Sequence, residues 1–321
     1  MAESLTLAAV KAAQSRIASH VRQTPLMPAI ALKQPIPGCA HLWLKLDCLQ
    51  VTGSFKARGA VNKLLTLPPD TWPRGVITAS GGNHGLAVAY AGWLAQVPAT
   101  IYLPHNTPAA KAAKLRQWGA TVIRKGAVWD DANRAALAQA ERDRLAYLHP
   151  FADSQVIAGQ GTIALEVLEQ LPDVETLLVA IGGGGLISGI SLAAKALRPD
   201  LKIIGVEATG APTLHASLQA GHIVELPSVN TRANTLAPRQ TEPINFNMIQ
   251  SCVDEVVLVS DEQMRAAARW LWFELGIAAE LSGAAAIAAL QSCAYTPAAH
   301  EKVCALICGA GTDGMVSEYS P

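Results

Sequence analysis

Val51-Thr52-Gly53-Ser54-Phe55-Lys56-Ala57-Arg58-Gly59 is the stretch on which the reading of this chain turns. A lysine lies among small residues between two glycines, and the run that follows, Ala60-Val61-Asn62-Lys63-Leu64-Leu65, has helical spacing. A lysine so placed can be partly desolvated, which lowers an amine's pKa and makes it a nucleophile for carbonyl carbon, the chemistry of Schiff bases. Alone, the stretch also fits an ordinary solvated lysine ahead of a helix. Its weight comes from what surrounds it.

Outward from Lys56, short β-rich apolar runs alternate with alanine-rich helical patterns. The runs lie at 42–46, 75–79, 99–103, 121–123, 176–181, 202–206, 255–259 and 303–307. Helical spacing occupies 85–95, 109–118, 130–143, 186–197 and 261–275. Strand, helix, strand in this order predicts an α/β fold with parallel sheets covered on both faces. Residues 52–147 read as a small domain inserted into a larger one made of 1–51 and 148–321, with a ligand expected between them.

Composition narrows the function. The 321 residues carry 25 basic and 25 acidic side chains and are half hydrophobic, so no nucleic-acid or membrane-surface partner is expected and the ligand should be small. Six cysteines are scattered without a CxxC pair, which predicts a reduced compartment and no structural zinc. Residues 1–21 interleave apolar and charged positions as an amphipathic helix does, unlike a signal peptide, and the alanine-rich run 277–290 is broken by Glu280. A cytoplasmic protein is the expectation.

Two more glycine-bearing segments follow strands. Ala79-Ser80-Gly81-Gly82-Asn83-His84-Gly85 precedes a helix whose free N–H groups could take a carboxylate; a plain strand-to-helix turn is the alternative. Gly182, Gly183, Gly184 and Gly185, followed by Leu186 and a helix, suit the convergence of backbone N–H groups on a phosphate. A dinucleotide site competes for that reading, with Glu207 after the next strand in the place of a ribose-binding acid. The spacing is not GxGxxG, however, and no Walker lysine follows.

Ser54-Phe55-Lys56, Ser80-Gly81-Gly82-Asn83-His84 and the four glycines, in this order, resemble the fold type II family of pyridoxal phosphate (PLP) enzymes, in its serine/threonine dehydratase and serine racemase branch. The resemblance extends to Thr24-Pro25-Leu26, His149-Pro150-Phe151, Gly205-Val206-Glu207 and the run from Val253 to Val259, nearly the whole chain. It implies two open parallel-sheet domains like those of the tryptophan synthase β-subunit. Lys56 would be the Schiff-base lysine, Phe55 would pack beside the ring, and Asn83 would bond the phenolic oxygen. Gly182, Gly183, Gly184, Gly185 and Leu186 would hold the phosphate, and Ser80, Gly81, Gly82, Asn83 and His84 the substrate carboxylate. Cys308, just before Gly309-Ala310-Gly311, would face the pyridine nitrogen, where relatives carry serine, threonine or sometimes cysteine. A weakly polar partner there mutes electron withdrawal and favours elimination over transamination; the plain alternative is a buried strand-end cysteine.

The implied reaction is elimination of the β-hydroxyl from an L-amino acid to give a 2-keto acid and ammonia, with Lys56 as base. The alternatives on the same scaffold are a serine racemase or another β-elimination or β-replacement enzyme; racemisation needs an acid on the other face of the cofactor, and Gly81 stands where the racemase branch has a serine. Gly81 is also expected to enlarge the pocket. Relatives commonly read Thr-Ile-Ala-Asp-Gly where this chain has Thr231-Arg232-Ala233-Asn234-Thr235, which makes threo-phenylserine a rival to serine and threonine. The branch's divalent metal would fall on Glu207, Ala211 and Thr213; with one carboxylate missing, Glu207 and Ala211 are a weak candidate and no metal is expected. With the sequence running to Pro321, no added regulatory domain is expected, and a catabolic role is expected with it. A homodimer follows from the resemblance alone, with a monomer as the alternative. The competing reading from another class is a non-catalytic nucleotide or cofactor-binding module built on the four glycines.

Overall fold

The computed structural model describes residues 5 to 315. Along the chain run α1 (Leu7–Ile17), β1 (Leu26–Pro28), β2 (His41–Lys45), α2 (Lys56–Leu65), β3 (Val76–Ala79), α3 (Asn83–Ala95) and β4 (Ala99–Leu103). Then come α4 (Ala109–Gln117), β5 (Thr121–Arg124), α5 (Trp129–Asp143), β6 (Ala146–Tyr147), α6 (Ser154–Gln170), β7 (Thr176–Ala180) and α7 (Gly185–Leu197). The last are β8 (Lys202–Ala208), α8 (Thr213–Ala220), α9 (Pro243–Cys252), β9 (Glu255–Val259), α10 (Asp261–Leu275), α11 (Leu281–Gln291) and β10 (Lys302–Leu306). No helix among the described residues is long and apolar enough to cross a membrane.

These elements group into two compact units. The first takes Met1–Arg22 with Phe55–Gln160, the second Gln23–Ser54 with Gly161–Pro321, so α1 and the 148–160 segment join the small-sheet unit and the boundary falls inside α6. The first unit's sheet has the order β5-β4-β3-β6 and is parallel throughout. Ile77 and Ala79 of β3 and Tyr102 of β4 pack against Ala132, Ala136 and Ala140 of α5, whose spacing of four puts small residues on one face and lets the helix lie close to the strands. α1 earns its place in the same way, with Val10, Ala13 and Ile17 buried and Thr6 capping the first turn through Ala9 N–H.

The second unit's sheet has the order β1-β2-β10-β7-β8-β9. It departs from the expected all-parallel pattern at one edge, where β1 pairs antiparallel with β2, Leu26 opposite Lys45. β7 is buried at every position, as a strand covered on both faces must be. α11 is buried along nearly its whole length, which accounts for its alanines and its lack of a polar face. α10 carries a capping box between Ser260 and Gln263 and ends on Gly276 at φ +66°. Trp270 of that helix is buried and donates to the Gln34 carbonyl at 2.7 Å, while Trp272 and Phe273 are exposed. Lys45, fully buried in β2, gives its ammonium to Glu166 and to the Thr24 carbonyl, both at 2.6 Å, and to Gln170 at 3.1 Å. A buried ammonium is tolerated because all three donor positions find acceptors.

Candidate active site

Lys56 opens α2, directly after a segment with unusual backbone. Thr52 has φ +65°, a conformation that costs a β-branched residue about 1–3 kcal/mol. The Lys56 ammonium donates to the Pro150 carbonyl at 2.6 Å and lies 5.0 Å from the centre of the Phe55 ring. Two histidines share this corner of the first unit. His84 Nε2 is 3.0 Å from the Leu148 carbonyl, and since a carbonyl only accepts, the ring proton sits on Nε2. Its Nδ1 is then a buried acceptor with no hydrogen-bond partner. His149 Nδ1 accepts from the N–H groups of Phe151 and Ala152 at 3.2 and 2.8 Å, which fixes its proton on Nε2 as well. Burial, and then the charge of Lys56, hold His84 down to about 3 and His149 down to about 4, so both rings are neutral at neutral pH.

The segment from Ser80 to His84 runs from the end of β3 into α3. Gly82 stands at the N-cap with no side-chain cap, and Ser80 Oγ accepts from Gly82 N–H at 3.3 Å. Leu148 O ties this turn to the lysine corner, since it accepts from both His84 and Thr78 Oγ1. Gly81 is a correction. A Cβ there would meet Thr107 Cγ2 at 3.2 Å and Leu103 Cδ2 at 3.3 Å, so neighbouring methyl groups already occupy the space that the missing side chain was expected to add to a pocket.

The glycine turn belongs to the second unit, between β7 and α7. Gly184 adopts φ +94° as the N-cap of α7, a conformation that disfavours any side chain. A Cβ at Gly182 would lie 2.6 Å from the Thr235 carbonyl. The carbonyl of Gly183 accepts from Thr241 Oγ1 at 3.1 Å and Asn245 Nδ2 at 2.9 Å, which orients the peptide so that the turn's amides face away from those donors. Ser188, in the first turn of this thirteen-residue helix, is fully buried and its Oγ has no partner. An uncapped helix start, two glycines with no room or no conformation for side chains, and an orphaned hydroxyl suit a phosphate.

Cys308 lies just beyond β10 and is buried; its thiol donates to the Ser282 carbonyl at 3.5 Å. Burial, with Glu280, Asp47 and Cys48 adding negative charge, pushes the thiol well above its ordinary value, so it is protonated. Glu207 has a role that the sequence did not reveal. Both carboxylate oxygens accept backbone N–H groups at the start of α8, from Leu214 at 2.9 Å and His215 at 2.8 Å. Burial pushes it up to about 8 against the pull of those amides. The carbonyl of Ala211 is likewise engaged by Thr213 N–H at 2.9 Å. The residues read as a weak metal pair therefore cap and close a turn.

Residues 17–309 match the family described as pyridoxal-phosphate dependent enzyme. The chain is 41% identical over 286 residues to an L-threonine ammonia-lyase of Thermotoga maritima, covering 89% of this chain and 71% of that one. It is 36% identical to a phenylserine dehydratase of Ralstonia pickettii over 310 residues, 96% of this chain and 93% of the relative. Among solved structures it is similar to maize serine racemase, with a TM-score of 0.88 and 34% identity over 95% of this chain and 93% of that one.

Proposed function

Because this chain belongs to the family of pyridoxal-phosphate dependent enzymes, we propose that it dehydrates an L-β-hydroxy amino acid to a 2-keto acid and ammonia. PLP-dependent dehydratases and racemases are the common ground of its relatives. The observation that carries elimination over racemisation is Gly81: it bears no proton, and the nearest atoms to its missing Cβ are methyl carbons of Thr107 and Leu103.

The fit to the cofactor rests on the amine of Lys56 and on the glycine turn with its orphaned Ser188 hydroxyl. Bound PLP supplies an electron sink that loosens the proton on the substrate's α-carbon. Lys56 Nζ would be the base for that proton, and the Pro150 carbonyl, 2.6 Å from it, is placed to accept from the resulting ammonium. His84 and His149, kept neutral, add no second positive charge beside that amine. By the resemblance, Phe55 would pack beside the cofactor ring, Asn83 would bond its phenolic oxygen, and the amides of Gly182, Gly183, Gly184, Gly185 and Leu186 would hold its phosphate. Cys308, protonated and buried, would offer the cofactor's ring nitrogen no full negative charge, which suits elimination better than transamination. Amides and side chains of Ser80 to His84 take the substrate carboxylate at the start of α3.

Serine, threonine and threo-phenylserine are the substrates in contention, and the near-complete overlap with the phenylserine dehydratase supports the bulkiest. The test is 2-keto acid release from the three L-amino acids in parallel, with and without added PLP. Preference for phenylserine assigns aromatic recognition to this chain, and comparable turnover of serine and threonine makes it an ordinary hydroxy amino acid dehydratase. Absence of keto acid from all three would refute the elimination reading, and D-serine formed from L-serine would favour the racemase.

A further inference from the structure

Thr235 lies within a short 3-10 turn, Asn234–Leu236. Its backbone lies against the glycine turn: the Thr235 carbonyl is 2.6 Å and Leu236 Cα 3.4 Å from the place of a Cβ at Gly182. Its hydroxyl donates to Ser282 Oγ at 2.6 Å, and Ser282 Oγ in turn donates to Glu280 Oε1 at 2.6 Å. Glu280 underlies the segment after Cys308. Its N–H donates to the Gly309 carbonyl at 3.2 Å, a Cβ at Gly311 would meet Glu280 Cβ at 2.6 Å, and one at Gly309 would collide with Glu280 Oε1. Ser282 completes the link, since its own carbonyl accepts the Cys308 thiol at 3.5 Å.

We propose that Thr235 and Ser282 are positioning residues, a hydroxyl relay to Glu280 that ties the phosphate-binding turn to the strand end carrying Cys308. The relay rests on the cofactor-dependent reading above. Each hydroxyl has one proton to direct. Ser282 sends its proton to a carboxylate, which makes the bond charge-assisted, and Thr235 then donates to the polarised serine oxygen. Thr235 thus lies against the glycine turn through its main chain, and its hydroxyl moderates the charge of Glu280. The charged or titratable groups facing Cys308 are Glu280, Asp47 and Cys48. Of the three, Glu280 is the one this relay addresses.

The experiment uses the PLP-loaded full chain and follows the cofactor's visible absorbance across pH. Thr235→Val and Thr235→Ser, Ser282→Ala, and the Thr235→Val/Ser282→Ala pair are compared with wild type. Removing a donor leaves the Glu280 charge less compensated, and that charge favours the protonated form of whatever titrates near it. Ser282→Ala is expected to raise the midpoint by about half a pH unit or more, and Thr235→Val by a smaller amount in the same direction. The double variant should shift no further than Ser282→Ala, because one chain of bonds is broken either way. Thr235→Ser, which keeps the hydroxyl, should retain the wild-type midpoint; should Ser282→Ala not fold, the near-isosteric Val and Ser variants at 235 still decide. A wild-type midpoint in Thr235→Val, an equal shift in Thr235→Ser, or additive shifts would overturn the relay while leaving the dehydratase reading intact. A wild-type protein with no cofactor band would sink both.

Discussion

The corner around Lys56 and the turn from Gly182 to Gly185 are each a few residues long, yet they are built by opposite means. At Lys56 everything depends on side-chain identity: an ammonium, two imidazoles whose tautomers are fixed by main-chain groups, and an aromatic ring. At the glycine turn everything depends on side chains being absent, so that Gly184 can adopt φ +94° and Thr235 can approach Gly182. Groups that move protons must be chosen for their chemistry, whereas groups that hold an anion in place need only geometry. A substitution should therefore remove turnover in the first region and affinity in the second.

The sharpest test of that contrast is Lys56→Ala. Keto acid formation should fall by about three orders of magnitude or more, while phosphate-turn contacts remain, so PLP is still retained but without the absorbance of the lysine-bound form. Loss of PLP binding with no residual affinity would break the contrast. Gly182→Ala is the counterpart: its Cβ would press on the Thr235 carbonyl at 2.6 Å, and PLP affinity is expected to drop by about 10- to 100-fold with a much smaller change in turnover at saturating cofactor.

The lysine corner also carries a pH signature. His84 is held at about 3 against an ordinary 6.5, and a lowered folded value means that the unfolded chain binds the extra proton between those limits. Stability from this group is complete above 6.5 and is lost as pH falls toward about 3. His149 adds the same sign down to about 4. In urea unfolding at pH 5, His149→Asn should reduce the pH slope of stability by about one proton. An unchanged slope would mean that the ring is charged in the folded protein.

Smaller effects follow at Gly81 and Glu207. A serine at 81 needs Thr107 and Leu103 to yield by a few tenths of an ångström, so Gly81→Ser should fold with a cost of about 1–2 kcal/mol and leave dehydration within several-fold. D-serine formation by that variant, scored by chiral chromatography, would sharpen the assignment of the missing acid. Chelation is the smallest: with Glu207 committed to Leu214 and His215 amides, activity should stay within about twofold.

Much of this was legible from residue types. Long apolar runs gave β4, β7 and β8 to within a few residues; Asn83 and the four glycines fall, as expected, between a strand and a helix, while Lys56 opens α2 after a 3-10 turn. β1 and β6, with three and two residues, are too short to carry a period. The acceptors that organise the lysine corner were invisible for another reason. Pro150 O and Leu148 O are main-chain atoms, and any residue supplies a carbonyl. Gly81 misled because a glycine suggests space, while the space was assigned by Thr107 and Leu103, more than twenty positions away. Glu207 was ambiguous for a related reason, since a carboxylate at a strand end looks the same in sequence whether it meets a ribose, a metal or a helix start.

The ammonium of Lys45, sealed against Glu166 and Thr24, has a consequence for how this chain can drift over generations. Truncating either member of a buried pair strands the other and costs about 3–5 kcal/mol, a large part of the roughly 5–15 kcal/mol by which a folded domain survives. Replacing both at once with well-fitted apolar residues is close to neutral. The two endpoints are thus comparably fit, but the single steps between them cross a valley. Lys45 and Glu166 are inherited as one character, and descendants of this chain should keep both or have exchanged both.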